Sequence, residues 1–289
     1  MVAAFHRPHL LPILAAASLF GAASSAAIAA DASPWDDNVQ SAARLIAAPA
    51  HNESGGRVFR AGVEIRLKEG WKTYWRYPGD SGVPPVLDFS KSQNVKAVTV
   101  RYPAPKRFPD GAGGHLIGYK GDVIWPLHIE PQDPSKPVTL NLKLDYAACE
   151  KLCVPAEAKL ELLLTGAERA NEAAVGAAEA LVPKVAAVGG VGTPAIRAVR
   201  RETGSGKDSS KRRVVVDVAA DAPVVLFAEG PTAQWALPLP EPVAGAPAGV
   251  QRFAFELDGL PPGEKPDGAT LRLTAVSGDR AIEVAFRLD

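Results

Sequence analysis

Cys149 and Cys153 are the only cysteines among 289 residues, with Glu150, Lys151 and Leu152 between them. An even count this small allows one intramolecular pairing. Three chemistries fit two sulfurs at this spacing. The pair can be a structural staple, but a bridge closing so short a loop removes only about 2 kcal/mol of unfolded-state entropy. It can be a redox pair, in which one thiolate attacks a partner disulfide and its neighbour resolves the mixed disulfide. It can hold Cu(I) or contribute to a zinc site. Zinc normally takes four ligands, and the chain has no second cysteine pair and no His-x-x-x-His spacing. Spacing alone leaves all three readings open. No Ser-His-Asp set, phosphate-binding glycine loop or paired-carboxylate arrangement stands out elsewhere.

The elements that must position the pair read as β. Val138 to Tyr146 alternates and runs into Cys149; Val154-Pro155 follows Cys153, and Ala158 to Leu164 alternates again. The cysteines therefore sit on a turn between two strands. Upstream, Val63 to Leu67, Thr73 to Tyr77, Asn94 to Tyr102 and Asp122 to Ile129 are further strands, and Lys68 to Trp71 is a turn. Val39 to Ala47 has a short helical composition, and Phe108 to Gly121 reads as a long glycine-rich loop with an apolar tip. Roughly seven strands with turn signals between them predict an antiparallel sandwich. Gly166 to Val182 then turns Ala- and Glu-rich and helical, and Val188 to Gly192 is glycine-rich. Beyond it, Ala195 to Arg201, Arg213 to Ala219, Val224 to Ala228, Val250 to Leu257, Thr270 to Ala275 and Ala281 to Leu288 return to β, with a tight connection at Ser277 to Arg280. This half has no Cys and no His. The expected layout is a sandwich carrying the cysteines over 31–165, a helical and flexible linker over 166–192, and a second sandwich over 193–289.

Residues 1–30 are expected to be a cleaved export signal. Arg7 precedes an apolar core, Leu10 to Phe20, and Ala27-Ile28-Ala29 is a small-x-small cleavage site. That core is about 11 residues, against the roughly 20 that span a bilayer. Export would put the cysteines in an oxidising space that permits disulfides. The 32 basic and 32 acidic residues cancel, and Lys211-Arg212-Arg213 is the only basic run, which argues against nucleic acid as a partner.

Three segments carry a family resemblance. Gly70-Trp71-Lys72-Thr73-Tyr74-Trp75-Arg76-Tyr77-Pro78-Gly79-Asp80-Ser81-Gly82, Tyr102-Pro103-Ala104-Pro105 with Gly118-Tyr119 beyond it, and Tyr146-Ala147-Ala148-Cys149-Glu150-Lys151-Leu152-Cys153-Val154-Pro155 resemble the periplasmic N-terminal domain of DsbD-type thiol:disulfide interchange proteins. The branch is ScsB-like, linked to suppression of copper sensitivity. The resemblance covers roughly Ala43 to Gly166. It implies an all-β chain of immunoglobulin-like sandwiches and assigns Cys149 and Cys153 as the exchanging, catalytic pair. It implies a cap over the disulfide, matched here by His115 to Tyr119, with Leu116, Ile117 and Tyr119 as the covering side chains and Tyr119 the foremost shield. His115, Asp145, Tyr146 and Glu150 are candidate modulators of thiol reactivity. No metal site and no cofactor are implied.

The sequence has no multi-helix membrane domain and no thioredoxin-like domain. Electrons would then come from a separate membrane-embedded thiol carrier and go to periplasmic thioredoxin-fold proteins, making the chain a protein-disulfide reductase type of oxidoreductase. The three residues between the cysteines, fewer than in the better-known DsbD branch, leave open which sulfur is attacked first. The alternative is a non-enzymatic periplasmic module that binds copper or a protein, with the disulfide structural.

Overall fold

The computed structural model describes residues 1–2, 30–53, 55–79, 82–111, 113–203 and 212–289. The expected export signal lies outside them, save residues 1, 2 and 30. Among the described residues, eleven strands precede the helix: β1 (Asp36–Asp37), β2 (Ser41–Glu53), β3 (Gly56–Leu67), β4 (Lys72–Gly79), β5 (Val86–Asp88), β6 (Val95–Val100), β7 (Lys106–Pro109), β8 (His115–Lys120), β9 (Val123–Pro131), β10 (Val138–Cys149) and β11 (Cys153–Leu164). One sheet runs β1-β2-β3-β9-β6. The other runs β11-β10-β4-β8-β7, with β5 also on β10. Both are antiparallel, and Phe59, Trp75, Trp125, Leu127, Leu140 and Leu142 fill the space between them. This is the all-β, immunoglobulin-like sandwich that the sequence predicts.

Two local expectations fail for identifiable reasons. The stretch 39–47 is not helical; Ser41 onward is β2. Its alternation is hidden because both faces are buried: Ala43, Leu45 and Ala47 join the core, while Ile46 and Ala48 pack under Val175 of the helix. The expected loop at 108–121 is instead the hairpin β7–β8, with Phe108 opposite Leu116 and Lys106 opposite Gly118. Its glycines are not all turn residues. Gly118 lies inside β8, where a Cβ would stand 2.0 Å from the Thr73 carbonyl oxygen, so it permits close approach of β4.

Helix α1 (Glu172–Ala180) covers β2 and β9, with Val175 and Ala178 buried. Beyond it come β12 (Lys184–Ala186), β13 (Ala195–Thr203), β14 (Arg212–Ala219), β15 (Val224–Glu229), β16 (Glu241–Pro242), β17 (Val250–Glu256), β18 (Thr270–Ser277) and β19 (Arg280–Arg287). They form sheets β12-β19-β18-β15 and β13-β14-β17-β16 around Trp235, Leu271, Leu273 and Val284.

The second sandwich grips the far half of β4. Phe227 packs against Trp75 with ring centroids 5.7 Å apart, and the Tyr77 hydroxyl donates to the Trp235 carbonyl at 2.8 Å. Arg76 donates to Glu229 at 2.7 Å and to Glu283. Burial works against the Arg76 charge, but the two carboxylates outweigh it and raise its pKa. Arg76→Ala would leave these carboxylates without their cation in a desolvated seam. The expected cost is about 3–5 kcal/mol in urea unfolding. A loss under about 1 kcal/mol would class the pairs with ordinary surface bridges.

A second ion-pair cluster fastens α1. Burial alone would raise the Glu179 pKa, but hydrogen bonds with His128 (3.0 Å) and Arg60 hold it at about 2, below the usual 4.5. Glu53, 3.6 Å from His128, and Glu172, near Arg60, complete the charged surroundings. A folded-state pKa below the unfolded value means stabilisation that is complete above about 4.5 and lost as pH falls toward about 2. The stability gap between the unmodified chain and Glu179→Gln should therefore shrink over that window. A gap independent of pH would show that the carboxylate's charge is not what holds the helix.

Candidate functional site

β10 and β11 pair continuously from Val138 opposite Leu164 to Cys149 opposite Cys153, so the cysteines are the last rung of the hairpin. They are disulfide-bonded. Glu150, Lys151 and Leu152 close the turn, with the Glu150 N–H donating to the Leu152 carbonyl at 3.2 Å. On its other side the end of β10 is held by β4, with Ala148 opposite Thr73 and Cys149 opposite Lys72. The Thr73 hydroxyl reinforces this by donating to the Ala147 carbonyl at 2.9 Å.

Register then decides which side chains share the disulfide's face. Residues directly opposite in a sheet lie on the same side, and neighbours along a strand alternate. Cys149 is opposite Lys72, Lys72 opposite Lys120, Tyr74 opposite Gly118, Gly118 opposite Lys106 and Leu116 opposite Phe108. Cys149, Tyr74, Leu116 and Ala147 accordingly form one small apolar cluster, with Phe108 against it. The intervening residues Trp75, Tyr77, Ile117, Tyr119, Tyr146 and Ala148 point the other way, into the main core.

The two cysteines differ in exposure. Cys149 is 3% exposed, whereas Cys153 is exposed. The Tyr74 hydroxyl lies 3.1 Å from the Cys153 Sγ. A disulfide sulfur carries no hydrogen, so the phenol donates. Burial raises the Tyr74 pKa, as does the charge of Asp110, which keeps the phenol protonated as a donor. The same donor would favour a thiolate on Cys153 once the bond is reduced. The hairpin tip presents Leu152, 79% exposed, and Val154, 41% exposed, on either side of Cys153 in the chain.

The residues picked from the sequence separate along these lines. Leu116 packs in the cluster with Cys149. Ile117 and Tyr119 do not; both are core residues, and the Tyr119 hydroxyl donates to the Pro103 carbonyl at 2.9 Å. Tyr119 as the foremost shield is thus corrected: odd and even positions of β8 face opposite ways, and it is on the core side. Tyr146 is also a core residue, hydrogen-bonded to Ser41 at 2.7 Å. Asp145 is ion-paired with Lys143 at 3.2 Å, His115 contacts Arg107 at 3.3 Å, and Glu150 is an exposed turn residue. The polar side chain that meets the pair is Tyr74. Its sequence signal was its phase: it alternates with Trp75 and Tyr77 and falls in step with Lys72. Among the described residues, no group of three or more His, Cys, Asp or Glu side chains is placed to hold a metal ion.

Residues 43–165 match the family model described as thiol:disulfide interchange protein DsbD, N-terminal. This span is a DsbD-type N-terminal domain. The fold match runs further. The crystal structure of the N-terminal periplasmic domain of ScsB from Proteus mirabilis superposes with a TM-score of 0.65 at 21% identity, covering 89% of this chain and 98% of that one. Such coverage takes in most of the second sandwich as well as the DsbD-type domain. No curated protein matches the chain. Among the described residues no helix is long and apolar enough to cross a membrane. The family match over residues 43–165 supports a role in thiol–disulfide exchange in general.

The geometry separates two aromatic or apolar neighbours on one strand of the DsbD-type domain. Leu116→Ala should uncover the disulfide and speed its reduction by a small thiol several-fold. Tyr119→Ala should leave that rate nearly unchanged and instead cost about 3–5 kcal/mol of stability. Stopped-flow reduction and urea unfolding of both variants check this; equal acceleration by the two changes would contradict the assignment of faces.

Proposed function

We propose that the chain passes electrons through Cys149 and Cys153 between a membrane-embedded thiol carrier and thioredoxin-fold partners in the periplasm. The observation that carries this reading is the asymmetry of the pair, one cysteine exposed at a hairpin tip and the other only 3% exposed. An incoming thiolate attacks the Cys153 Sγ. A partner–Cys153 disulfide forms, the Cys149–Cys153 bond breaks, and the electron pair leaves on the Cys149 sulfur, which takes a proton from water. A second thiol on the partner then attacks its own half of the mixed disulfide. The partner leaves oxidised and the pair is left as two thiols. Run in reverse, the Cys153 thiolate attacks an oxidised partner and Cys149 resolves the complex. Cys153 is therefore the sulfur that forms mixed disulfides and Cys149 the one that resolves them.

A bridge this short contributes only about 2 kcal/mol to a chain with two well-filled cores, so stability gives little reason for it. Access controls exchange rate, and a pair with one covered sulfur reacts at one defined atom. Two measurements test the reading. A redox titration against glutathione or dithiothreitol should give a midpoint well above about −300 mV, the level typical of structural bridges. Cys149→Ser should accumulate a mixed disulfide with an oxidised thioredoxin-fold protein, while Cys153→Ser should not. A midpoint at or below the structural level, or trapping through Cys149, would overturn the proposal.

A further inference from the structure

The face that carries the disulfide also carries three lysines. Lys72 stands directly opposite Cys149 on β4, Lys120 opposite Lys72 on β8, and Lys106 opposite Gly118 on β7. With strands about 4.8 Å apart, all three amines are rooted within about 15 Å of the Cys149 row. Lys106 and Lys120 are exposed, and Lys72 lies over the Phe108 ring, 6.0 Å from its centroid. Arginines on the same strands are neutralised: Arg76 by Glu229 and Glu283, Arg107 by Glu241. None of the three lysines is ion-paired with a described carboxylate. The acids bordering the face are Asp110, which accepts from the Gly114 N–H at 2.9 Å, Glu150 in the hairpin turn, and Asp122, which accepts from the Leu67 N–H at 3.1 Å.

Folding does not favour this arrangement. Like charges directly opposite across two strands, as in Lys72 and Lys120, are destabilising. The face also continues into a groove of about 620 Å³ between the β7–β8 hairpin and α1, lined by Lys106, Phe108, Lys120, Ile124, Ala177 and Leu181. Its lining is mostly apolar, and its charged members are Lys106, Lys120 and Asp122, the last already engaged by the Leu67 N–H. A surface of this kind gains from a partner that brings negative charge, and complementary charge acts mainly on the encounter rate and on partner choice.

We propose that the thioredoxin-fold partner that reaches Cys153 presents a carboxylate-bearing rim around its reactive cysteine, and that Lys72, Lys106 and Lys120 receive it. The inference rests on the exchange reading above and names the chemistry of the partner at that same site. The probes are two synthetic peptides of equal length, each with one reduced cysteine, flanked by aspartates in one and by lysines in the other. Dithiothreitol, whose only charge is that of its attacking thiolate, is the control. Opening of the disulfide of the oxidised full chain, with the reagents in excess so that a second thiol releases each mixed disulfide, is followed by stopped flow, with rates expressed per thiolate, at ionic strengths of about 0.01 M and about 0.15 M, where screening lengths are about 30 and 8 Å. The aspartate peptide should react about tenfold faster than the lysine peptide at low ionic strength. That preference should collapse at the higher one and in the triple variant Lys72→Gln, Lys106→Gln, Lys120→Gln, whose dithiothreitol rate changes far less than its aspartate-peptide rate.

Reduction by all three reagents without charge preference, or a preference that survives in the triple variant, overturns this inference and leaves the exchange reading standing. Failure of every reagent to reduce the pair removes both. Should the triple variant fail to fold, the peptide preference and its salt dependence in the unmodified chain decide the matter alone.

Discussion

Cys149 opposite Lys72 and Ala148 opposite Thr73 are the two rungs by which β10 fastens to β4, and the site depends on that register. Side chains alternate faces with a period of two, so a slip of one residue would turn Cys149 into the core and bring Ala148 out. The core prevents the slip. Tyr146 and Ala148 on β10, Trp75 and Tyr77 on β4 and Ile117 and Tyr119 on β8 all point inward, and several would be exposed together. Burial of apolar area at about 25 cal/mol per Å² makes such a shift costly over three strands at once. Packing of the inner face thus sets the chemistry of the outer one, although the two share no side chain.

β4 is the strand on which both demands meet. Its first half supplies Thr73 to the β10 backbone and Tyr74 to the Cys153 sulfur; its second half, Trp75 to Tyr77, is held by Phe227, Trp235, Glu229 and Glu283 of the second sandwich. A hydrogen bond of 3.1 Å to sulfur is useful only if its donor is kept in place. The second sandwich brings no thiol of its own, yet it anchors β4 from the residue next to that donor, Trp75. Its contribution to the site is mechanical, delivered through strand placement and not through contact with the sulfurs.

Much of this was legible in the sequence, and what was not has physical causes. Residue type and spacing alone singled out Cys149 and Cys153, because thiol chemistry needs two sulfurs and the chain has two. The β hairpin around them followed from alternation in Val138 to Tyr146 and Ala158 to Leu164. Alternation failed where both faces are buried, as at Ile46 and Ala48 beneath α1, and there composition suggested a helix. The β7–β8 hairpin was hidden by glycines, one of which, Gly118, marks close strand contact and not a turn. Misreading that segment as a loop removed the parity that assigns Leu116 to the disulfide and Tyr119 to the core. The three lysines are separated by up to 48 positions in sequence, Lys72 to Lys120, and only strand pairing brings them to one face.

Cover and access have to coexist at the pair, and the hairpin reconciles them by treating its two ends differently. Cys149 ends a strand held on both sides, by β11 and by β4, so its sulfur is packed among Tyr74, Leu116 and Ala147. Cys153 begins β11, the edge strand of its sheet, which has a neighbour on one side only. An edge strand leaves one flank unpaired, and Cys153 is exposed there, with Leu152 and Val154 as exposed apolar neighbours. A disulfide inside the sheet would be inert, and one on a long mobile loop would react with any thiol. Placing the bond across the last rung between a central strand and an edge strand leaves one cysteine buried and the other exposed, with the surface around them to discriminate between thiols.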